Sequence, residues 1–319
     1  MAKKKVVTVK KKKTLPEKEN WEEAFQGFLL WKQAQGLSET TLDDYKKHVN
    51  LFFKRHPKAF GPKNLKAAIY VYMSEQIKPA TYNLRLAYLR AFFNWCVEEG
   101  FLTENPLAKF KRRKAEGRIV NVEEESLKRL IQLPDKEAFA GLRDYALMLL
   151  TLDTGIRPKE AFSLLSEDIN IRSLEVHIRS EESKTRSSRT LPIGPVTAKA
   201  IQELISSRHP DWRQKVPVFC SCEGTPLNRH TWGKRLEMYS KMLGVHIRPY
   251  DLRHAFALQY LRNGGHALAL QRMMGHTDLT MTKRYVALTQ GDLREQHLLA
   301  SPLNNLAPQK KRVRRAKAK

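Results

Sequence analysis

The spacing of apolar residues constrains this fold most, because it keeps a helical period over nearly the whole chain and changes only once. Trp21, Ala24, Phe25 and Phe28 recur at the spacing of one helix face, and the same period returns in later segments. Between residues 169 and 193, short apolar runs alternate with polar residues and turns, as in a three-stranded antiparallel sheet. The sequence therefore predicts a mainly α protein with a small antiparallel β-sheet, an α+β fold.

The formal net charge of +25 indicates a polyanionic partner, either nucleic acid or an acidic membrane surface. Residues 1–20 hold eight Lys and two Glu, and residues 302–319 hold seven Lys or Arg and no acid, so about half of the excess lies there. Residues 1–17 and 302–319 are predicted to be disordered basic tails that serve either solubility or DNA contact. The rest of the chain lacks a basic helix with a clean apolar face, so nucleic acid is favoured over a membrane.

Composition also indicates the compartment. No run of about 18 apolar residues is present, and the N-terminal MAKKKVVTVKKKK lacks the apolar core of a secretion signal. Three cysteines, of which the first is Cys96, suit a reducing compartment without disulfides. Cys220, Cys222 and His230 are too few soft ligands for a structural metal site. We expect a cytoplasmic, nucleoid-associated protein with no bound metal.

Two groups of predicted helices are separated by a basic stretch without a helical period. Residues 18–105 are expected to form an all-α domain of four helices, and residues 118–301 a second domain that contains the sheet. The linker between them, residues 106–117, is rich in Lys and Arg and can lie along a phosphate backbone. We expect DNA contacts from the linker and from the helix before it, and one from the second domain: Arg85, Arg90, Lys111, Arg112, Arg113 and Arg186.

Two cations of the second domain lie where elements meet. Gly155 can end an apolar helix over residues 142–152, and Pro158 suits the first turn of the next helix, so Arg157 projects from a fixed joint. Lys184 falls in the polar turn between the second and third predicted strands.

The stretch RPYDLRHAF, residues 248–256, places an arginine in a helix that is otherwise nearly all apolar. At helical spacing, Arg253 has Phe256, Ala257 and Tyr260 as neighbours. Burying a guanidinium is costly unless a negative group meets it. The stretch therefore requires an acidic partner in the protein or an anionic ligand.

Five residues at joints and on apolar faces form a pattern when taken together: Arg157, Lys184, Arg253, His276 and Tyr285. Four of them lie in the motifs TGIRPKEAFSL, PYDLRHAF and MMGHTDLTMTKRY. With these motifs the chain resembles the tyrosine recombinase (phage integrase) family over most of its length, from about residue 18 to about residue 300. The resemblance implies a SAM-like core-binding domain followed by a tyrosine-recombinase catalytic domain.

The resemblance also implies a reaction. The Tyr285 hydroxyl attacks a DNA phosphodiester and forms a 3′-phosphotyrosyl ester, while Arg157 and Arg253 neutralise the charge that develops on the non-bridging oxygens. Because the ester retains the bond energy and the cations suffice, neither a metal nor ATP is required, and no cofactor is expected.

Supporting roles follow from the same resemblance. His276 is expected to hydrogen-bond a non-bridging oxygen, and Glu160 to orient a clamp arginine from the same helical face. Lys184 is expected to protonate the leaving 5′-hydroxyl, a role that two cations in the same turn can share, Arg186 and Arg189.

One position departs from the family pattern, which most often has a His three residues before the second clamp arginine. This chain has Tyr250 there. A phenol can donate a hydrogen bond to phosphate, but a pKa near 10 makes it a poor base at neutral pH. The group that takes the proton from Tyr285 therefore stays open. His254 points about 100° away from Arg253 around the helix, so we expect it to buttress the site or bind a main-chain carbonyl.

The resemblance further implies an assembly. The two domains are expected to close as a C-shaped clamp around duplex DNA, and four protomers to join two DNA sites and exchange strands through a Holliday junction. The free protein is expected to be a monomer or a weak oligomer, and accessory proteins can take part. A predicted helix in GDLREQHLLASPL, with Leu293, Leu298 and Leu299, either docks on a neighbouring protomer or folds back on its own domain.

Two alternatives use the same fold. A type IB topoisomerase relaxes DNA with similar residues, but the compact helical N-terminal domain and the motif spacing favour a recombinase. A catalytically silent DNA-binding protein is supported by Tyr250 and opposed by the retained Tyr285, because binding alone needs no aligned nucleophile. The absence of a folded arm-binding domain before residue 18 favours an Xer-type recombinase or a mobile-element integrase.

Overall fold

The computed structural model describes most of the chain in two compact units, Met1–Gly117 and Arg118–Lys319. The described residues are 20–61, 64–115, 121–181, 187–212, 215–288, 297–298 and 301–306. The predicted tail of residues 1–17 lies outside them, as does most of the tail that begins at residue 302. Among the described residues, no helix is both long and apolar enough to cross a membrane.

The described part of the first unit contains four helices: Trp21–Ala34 (α1), Glu39–Arg55 (α2), Leu65–Ser74 (α3) and Pro79–Glu98 (α4). Their starts have local causes. The Asn20 side chain accepts a hydrogen bond from the Glu22 amide at 2.9 Å, which caps α1, and Pro79 takes the first turn of α4, where its missing N–H costs nothing.

Aromatic rings fill the core of the first unit. The Phe92 ring meets the rings of Phe25, Phe28 and Phe53 edge-on, with centroids 5.4, 5.5 and 6.3 Å apart. Each such pair contributes roughly 0.5–1.5 kcal/mol beyond the area that it buries. The apolar face predicted for α1 is therefore the face that packs against α2 and α4.

The second unit surrounds a small sheet with helices. Its elements are Glu124–Leu130 (α5), Phe139–Thr154 (α6), Pro158–Phe162 (α7), Ile169–Asn170 (β1), Glu175–Ile178 (β2), Arg189–Pro192 (β3), Pro195–Ser206 (α8), Arg229–Leu243 (α9), Pro249–Arg262 (α10), Ala267–Met274 (α11) and Leu279–Leu288 (α12). A short helix, Leu303–Leu306, lies beyond them. Most residues of the helix predicted in GDLREQHLLASPL, including Leu293 and Leu299, lie outside the described residues.

The sheet is antiparallel with the order β1-β2-β3. Val176 pairs with Leu191 across β2 and β3, and both side chains face the core, while Glu175 and His177 face outward. This alternation is the period that the sequence predicted. Lys184, which was predicted to lie in the turn between the second and third strands, is outside the described residues.

Helix α6 is largely buried and packs against α8 and α10. It carries a charged pair that the apolar pattern did not predict. The Arg143 and Asp144 side chains meet at 2.7 Å, and Asp144 also accepts hydrogen bonds from Arg235 at 2.5 Å and from the Tyr239 hydroxyl at 2.9 Å. These contacts satisfy the buried carboxylate and join α6 to α9.

Candidate active site

Arg157 lies at the joint between α6 and α7, and its side chain turns inward. Its Nη1 donates to Oε1 of Glu160 at 2.9 Å, and its Nη2 donates to the carbonyl of Gly275 at 2.7 Å. The Arg157 backbone N–H also donates to Oε2 of Glu160 at 3.1 Å, so the acid caps the helix that Arg157 begins. One carboxylate and one main-chain carbonyl therefore fix the plane of this guanidinium.

Glu160 holds a second arginine from the sheet. Arg189, the first residue of β3, donates to Oε1 and Oε2 of Glu160 at 3.1 and 2.6 Å, and its Nε donates to the Met273 carbonyl at 3.1 Å. The Glu160 side chain is only 1% exposed. Burial acts to raise the pKa of Glu160, but the contacts with Arg189 and Arg157 outweigh it and hold that pKa below its ordinary value. Glu160 is therefore a carboxylate that orients two guanidiniums.

Arg253 is buried in α10 and is held by main-chain oxygens. Its Nη1 donates to the Gly155 carbonyl, and its Nη2 donates to the Met274 carbonyl at 2.7 Å. Burial, reinforced by the nearby charge of Arg157, lowers the pKa of Arg253 to about 10, which leaves the group charged at neutral pH. The acidic partner that the sequence allowed for is not in contact, because among the described residues no carboxylate hydrogen-bonds Arg253.

The described part of the site thus holds three guanidiniums, on Arg157, Arg189 and Arg253, and one carboxylate, Glu160, which hydrogen-bonds only the first two. A guanidinium that is desolvated and paired only with neutral carbonyls keeps most of its attraction for an anion. The site therefore carries surplus positive charge that suits a phosphate.

Two glycines present the carbonyls that hold the arginines. Gly155 ends α6 with φ +63°, and Gly275 ends α11 with φ +61°. Each backbone is in the left-handed region that favours glycine, and a Cβ on Gly155 would lie 2.3 Å from a ring carbon of Phe256. The sequence predicted Gly155 as a helix end, but no side chain signals that its carbonyl binds Arg253.

His276 follows Gly275 and lies between an arginine and a hydroxyl. Its Nδ1 is 2.9 Å from Oγ1 of Thr282, and its Nε2 is 3.4 Å from Nη2 of Arg253. Burial and the charges of Arg253 and Arg157 lower the pKa of His276 to about 4, so the ring is neutral at physiological pH. A neutral imidazole donates from one nitrogen only, so the ring can donate from Nε2 when the Thr282 hydroxyl donates to Nδ1.

Tyr285 lies on α12, three residues beyond Thr282, and is 2% exposed. Its hydroxyl is 2.7 Å from Nδ1 of His254, and its ring is parallel to the His276 ring at a centroid distance of 6.4 Å. Burial raises the pKa of Tyr285, and the charges of Arg253 and Arg284 oppose that shift. The phenol is therefore a protonated, buried group beside the arginines.

A cavity of about 630 Å³ opens beside His276, between β3 and the end of α11. Its lining is polar and basic and includes Ser187, Arg189, Thr190, Gln271, Arg272 and Thr277. These are groups that can approach a sugar-phosphate backbone.

The comparison with known proteins decides the family. Residues 121–291, more than half of the chain, match the phage integrase family. The chain belongs to that family. The tyrosine recombinase XerC of Histophilus somni is 32% identical over 222 residues, which cover 69% of this chain and 74% of that protein. The XerC of Shewanella amazonensis is 27% identical over 276 residues, which cover 84% of this chain and 91% of that protein.

The fold is that of solved integrases. A lambda integrase tetramer bound to a Holliday junction superimposes with a TM-score of 0.64 at 18% identity, over 83% of this chain and 76% of that one. The predicted family and the mainly α fold with a small antiparallel sheet are confirmed.

The structure brings together Arg157, Arg253, His276 and Tyr285 of the predicted integrase site, with Glu160 in the contact expected of it. Lys184 and Arg186 lie outside the described residues. Arg189 does not suit the proton-donor role that it was expected to share, because all three of its side-chain nitrogens are already bonded to Glu160 and Met273.

Of the two roles expected for His254, the structure agrees with a support of the site and not with a bond to a main-chain carbonyl. Its position about 100° around α10 from Arg253 directs it toward α12, where Nδ1 meets the Tyr285 hydroxyl. Tyr250, in the first turn of α10, is 43% exposed, and its hydroxyl has no hydrogen bond within the described part of the chain.

The first-unit arginines that were expected to contact DNA differ in exposure and in the groups that already bind them. Arg85 is 6% exposed and binds Glu75 at 2.7 Å and the Tyr72 carbonyl at 3.1 Å, so it serves the core of this unit and not its surface. Arg90 is partly buried and donates to the carbonyls of two residues of the following loop, Leu107 and Phe110. Neither side chain was distinguishable from a surface arginine by helical spacing alone.

The linker residues Lys111 and Arg112 are exposed, as a backbone contact requires. Arg113 is exposed as well; its guanidinium stacks on the Tyr82 ring at 3.8 Å, and its backbone exchanges hydrogen bonds with Asn83 at 2.8 and 2.9 Å. Over the described residues there is no group of three or more His, Cys, Asp or Glu side chains arranged to hold a metal ion.

Proposed function

We propose that this chain is a site-specific DNA recombinase that cuts and rejoins DNA through a 3′-phosphotyrosyl intermediate at Tyr285. The observation that carries the proposal is the convergence of Arg157, Arg253 and His276 around this tyrosine, with surplus positive charge in a buried site. Membership of the phage integrase family supports it.

In the proposed reaction the Tyr285 oxygen attacks phosphorus, and the 5′ oxygen of the next nucleotide leaves. Negative charge grows on the non-bridging oxygens, which Arg157 and Arg253 neutralise and to which His276 donates from Nε2. Such preoriented donors each contribute on the order of 3 kcal/mol of transition-state stabilisation. Lys184 is the proposed acid for the leaving oxygen. Rejoining is the reverse reaction, in which a 5′-hydroxyl attacks the ester.

The phosphate would join the neutral carbonyls as a further partner of the arginines, through guanidinium N–H groups that the carbonyls leave available. Because Arg157 and Arg253 are already oriented by Gly275, Gly155 and Met274, little side-chain freedom is lost when the phosphate binds. Since Tyr285 is 2% exposed, neighbouring side chains must open when DNA binds before its hydroxyl can meet the phosphate.

We further propose double-stranded DNA as the partner and a tetramer on two DNA sites as the active assembly, with strand exchange through a Holliday junction. The fold shared with the lambda integrase tetramer on such a junction supports this arrangement. Lys111 and Arg112, which are exposed, are the proposed backbone contacts of the linker.

The test is capture of the covalent intermediate. Purified protein is mixed, without metal or ATP, with nicked duplexes from the DNA that flanks its gene, whose nick lets the cut end diffuse away. The expected result is a protease-sensitive, SDS-stable protein–DNA adduct that is absent in Tyr285→Phe. Tight binding without any adduct, on nicked and junction substrates alike, would instead support a silent DNA-binding protein, and Tyr250→His would then be the variant to test for restored cleavage.

A further inference from the structure

The proposed reaction needs a group that removes the proton from Tyr285, and the contact of this hydroxyl identifies one. The Tyr285 oxygen lies 2.7 Å from Nδ1 of His254, within ordinary hydrogen-bond distance. Both groups are shielded from solvent, with Tyr285 buried and His254 half-buried. A contact this short in a dry site fixes the direction in which the phenolic O–H points.

The direction of this hydrogen bond follows from satisfaction of the donor. Among the described residues, His254 is the only hydrogen-bond partner of the Tyr285 hydroxyl. If Nδ1 carried the proton, the phenolic O–H would be buried without an acceptor, at a cost of about 1–3 kcal/mol. The hydroxyl therefore donates to an unprotonated Nδ1, and the His254 proton is on Nε2.

Other groups near the phenol do not suit the acceptor role. His276 uses Nδ1 for Thr282 and directs Nε2 toward Arg253. Arg253 is a cation, and the Glu160 carboxylate is occupied by Arg157 and Arg189. Tyr250 is exposed and makes no contact with the hydroxyl.

We propose that His254 is a catalytic residue that accepts the phenolic proton as Tyr285 attacks DNA. The inference rests on the proposed recombinase function. In the cleavage step the Oη–H bond breaks and the proton moves to Nδ1, which gives an imidazolium, while the Oη–P bond forms. The P–O5′ bond breaks, and the 5′ oxygen takes a proton from the leaving-group acid. On rejoining, the imidazolium returns its proton to the phenolic oxygen.

The surroundings allow His254 to exchange this proton. Burial lowers the pKa of His254 below its ordinary value; Asp251 on α10 opposes this shift, and Arg253 on α10 and Arg284 on α12 add to it. The imidazole is therefore neutral at pH 7 and ready to accept, and the Asp251 carboxylate stabilises the imidazolium that forms. The adjacent positions of Arg253 and His254 place the clamp and the base on neighbouring faces of one helix.

The primary test compares wild type with His254→Asn in single-turnover cleavage of a nicked substrate. The Asn side chain can accept a hydrogen bond near the position of Nδ1 but cannot take a proton at neutral pH. General-base catalysis predicts a loss of about 100-fold or more in the cleavage rate, with DNA affinity unchanged. The matched control, His209→Asn, changes an exposed loop histidine and should leave the rate unchanged.

The pH dependence separates a base from a structural support. The wild-type cleavage rate should rise with pH as His254 loses its proton and then level off, because only the neutral ring accepts. This rise of the cleavage rate with pH should be absent in His254→Asn. A substrate with sulfur in place of the leaving 5′ oxygen needs no acid, so it should not restore the variant, whereas restoration would assign His254 to the leaving group and overturn the proposal.

Chemical rescue gives a second, independent readout. His254→Ala leaves space where the ring was, so added imidazole should restore part of the cleavage rate in that variant and none in His254→Asn. If wild type forms a Tyr285-dependent adduct and His254→Asn cleaves within about threefold of it or faster, the proposed base is wrong while the recombinase stands. If wild type forms no adduct on any substrate, both proposals fail.

Discussion

Glu160 holds two buried arginines with one carboxylate, so its loss should affect stability as well as chemistry. In Glu160→Gln, Arg157 and Arg189 keep their charge but lose the anion that they share. Removing one partner of a buried ionic cluster costs about 3–5 kcal/mol, so urea unfolding should show a loss of that order. The control Glu124→Gln removes an exposed ion pair with Lys128, which solvent screens, and should leave the unfolding free energy nearly unchanged.

The same substitution has a pH signature. The arginines hold the pKa of Glu160 in the folded protein below the ordinary value of 4.5, so its contribution to stability is present above that pH and is lost as the pH falls through the folded pKa. The difference in unfolding free energy between wild type and Glu160→Gln should therefore shrink on acidification below about pH 4.5. A difference that stays constant with pH would contradict this account.

Thr282 determines which nitrogen of His276 can donate to DNA. The ring is neutral at pH 7, so it donates from Nε2 only when Nδ1 accepts a hydrogen bond, and the Thr282 hydroxyl can supply that bond. Thr282→Val keeps the shape and removes the donor. We expect cleavage to slow by about tenfold or more with DNA affinity retained, because one oriented donor is weakened. Thr280→Val, at an exposed position of the same helix, is the control and should cleave normally.

At the scale of elements, the carbonyls that end α6 and α11 bind the two arginines, Arg253 and Arg157. Gly155→Ala places a Cβ against Phe256 and forces a left-handed backbone on alanine, so both the end of α6 and the carbonyl that binds Arg253 should shift. Gly244→Ala is a matched control, because Gly244 ends α9 with φ +75° and a Cβ there meets nothing within 4 Å.

The two variants should separate backbone strain from site geometry. Gly244→Ala should lower the unfolding free energy only by the cost of a left-handed backbone on alanine, about 1–2 kcal/mol. It should keep its cleavage rate. Gly155→Ala should lose more stability in thermal unfolding and most of its cleavage. Equal cleavage by the two variants would mean that the Gly155 carbonyl is not needed to position Arg253.

Helices and strands were predictable here because apolar residues keep one period through each of them. The capping residues lie at the ends that this period indicates. The helix predicted over 142–152 begins at Phe139 and ends before Gly155, and the alternation over 169–193 forms the predicted three-stranded antiparallel sheet. The charged pair of Arg143 and Asp144 inside α6 was not predicted, because its partner Arg235 lies on a helix some ninety residues away. Buried polar networks depend on tertiary contacts that a local period does not encode.

The candidate site was predictable in its side chains and not in its main-chain partners. Sequence motifs identify Arg157, Arg253, His276 and Tyr285. The glycines at 155 and 275 predict only that a helix ends there, and not that their carbonyls bind arginines. The partner of His254 depends on how α12 packs against α10, which spacing within α10 cannot give. Arg85 was misread for a related reason, since its partner Glu75 lies on the preceding loop.

For the whole molecule, positive charge predicts binding that weakens steeply with salt. Each phosphate contact contributes about 0.9 to the slope of log affinity against log salt concentration on duplex DNA. Replacing the seven Lys and Arg residues of 302–319 with Gln should lower that slope in anisotropy titrations if the tail contacts DNA. Exchanging its Lys residues for Arg keeps the charge and should keep the slope. An unchanged slope in the Gln variant would assign the tail to solubility.

The order of site residues along the chain has a consequence during synthesis. Arg157 needs the carbonyl of Gly275, 118 residues later, and Arg253 needs that of Met274. A nascent chain on the ribosome therefore has neither arginine fully oriented until α11 has emerged, and it lacks the proposed nucleophile until residue 285 has been added. The cation site and its tyrosine are therefore incomplete throughout most of the chain's translation.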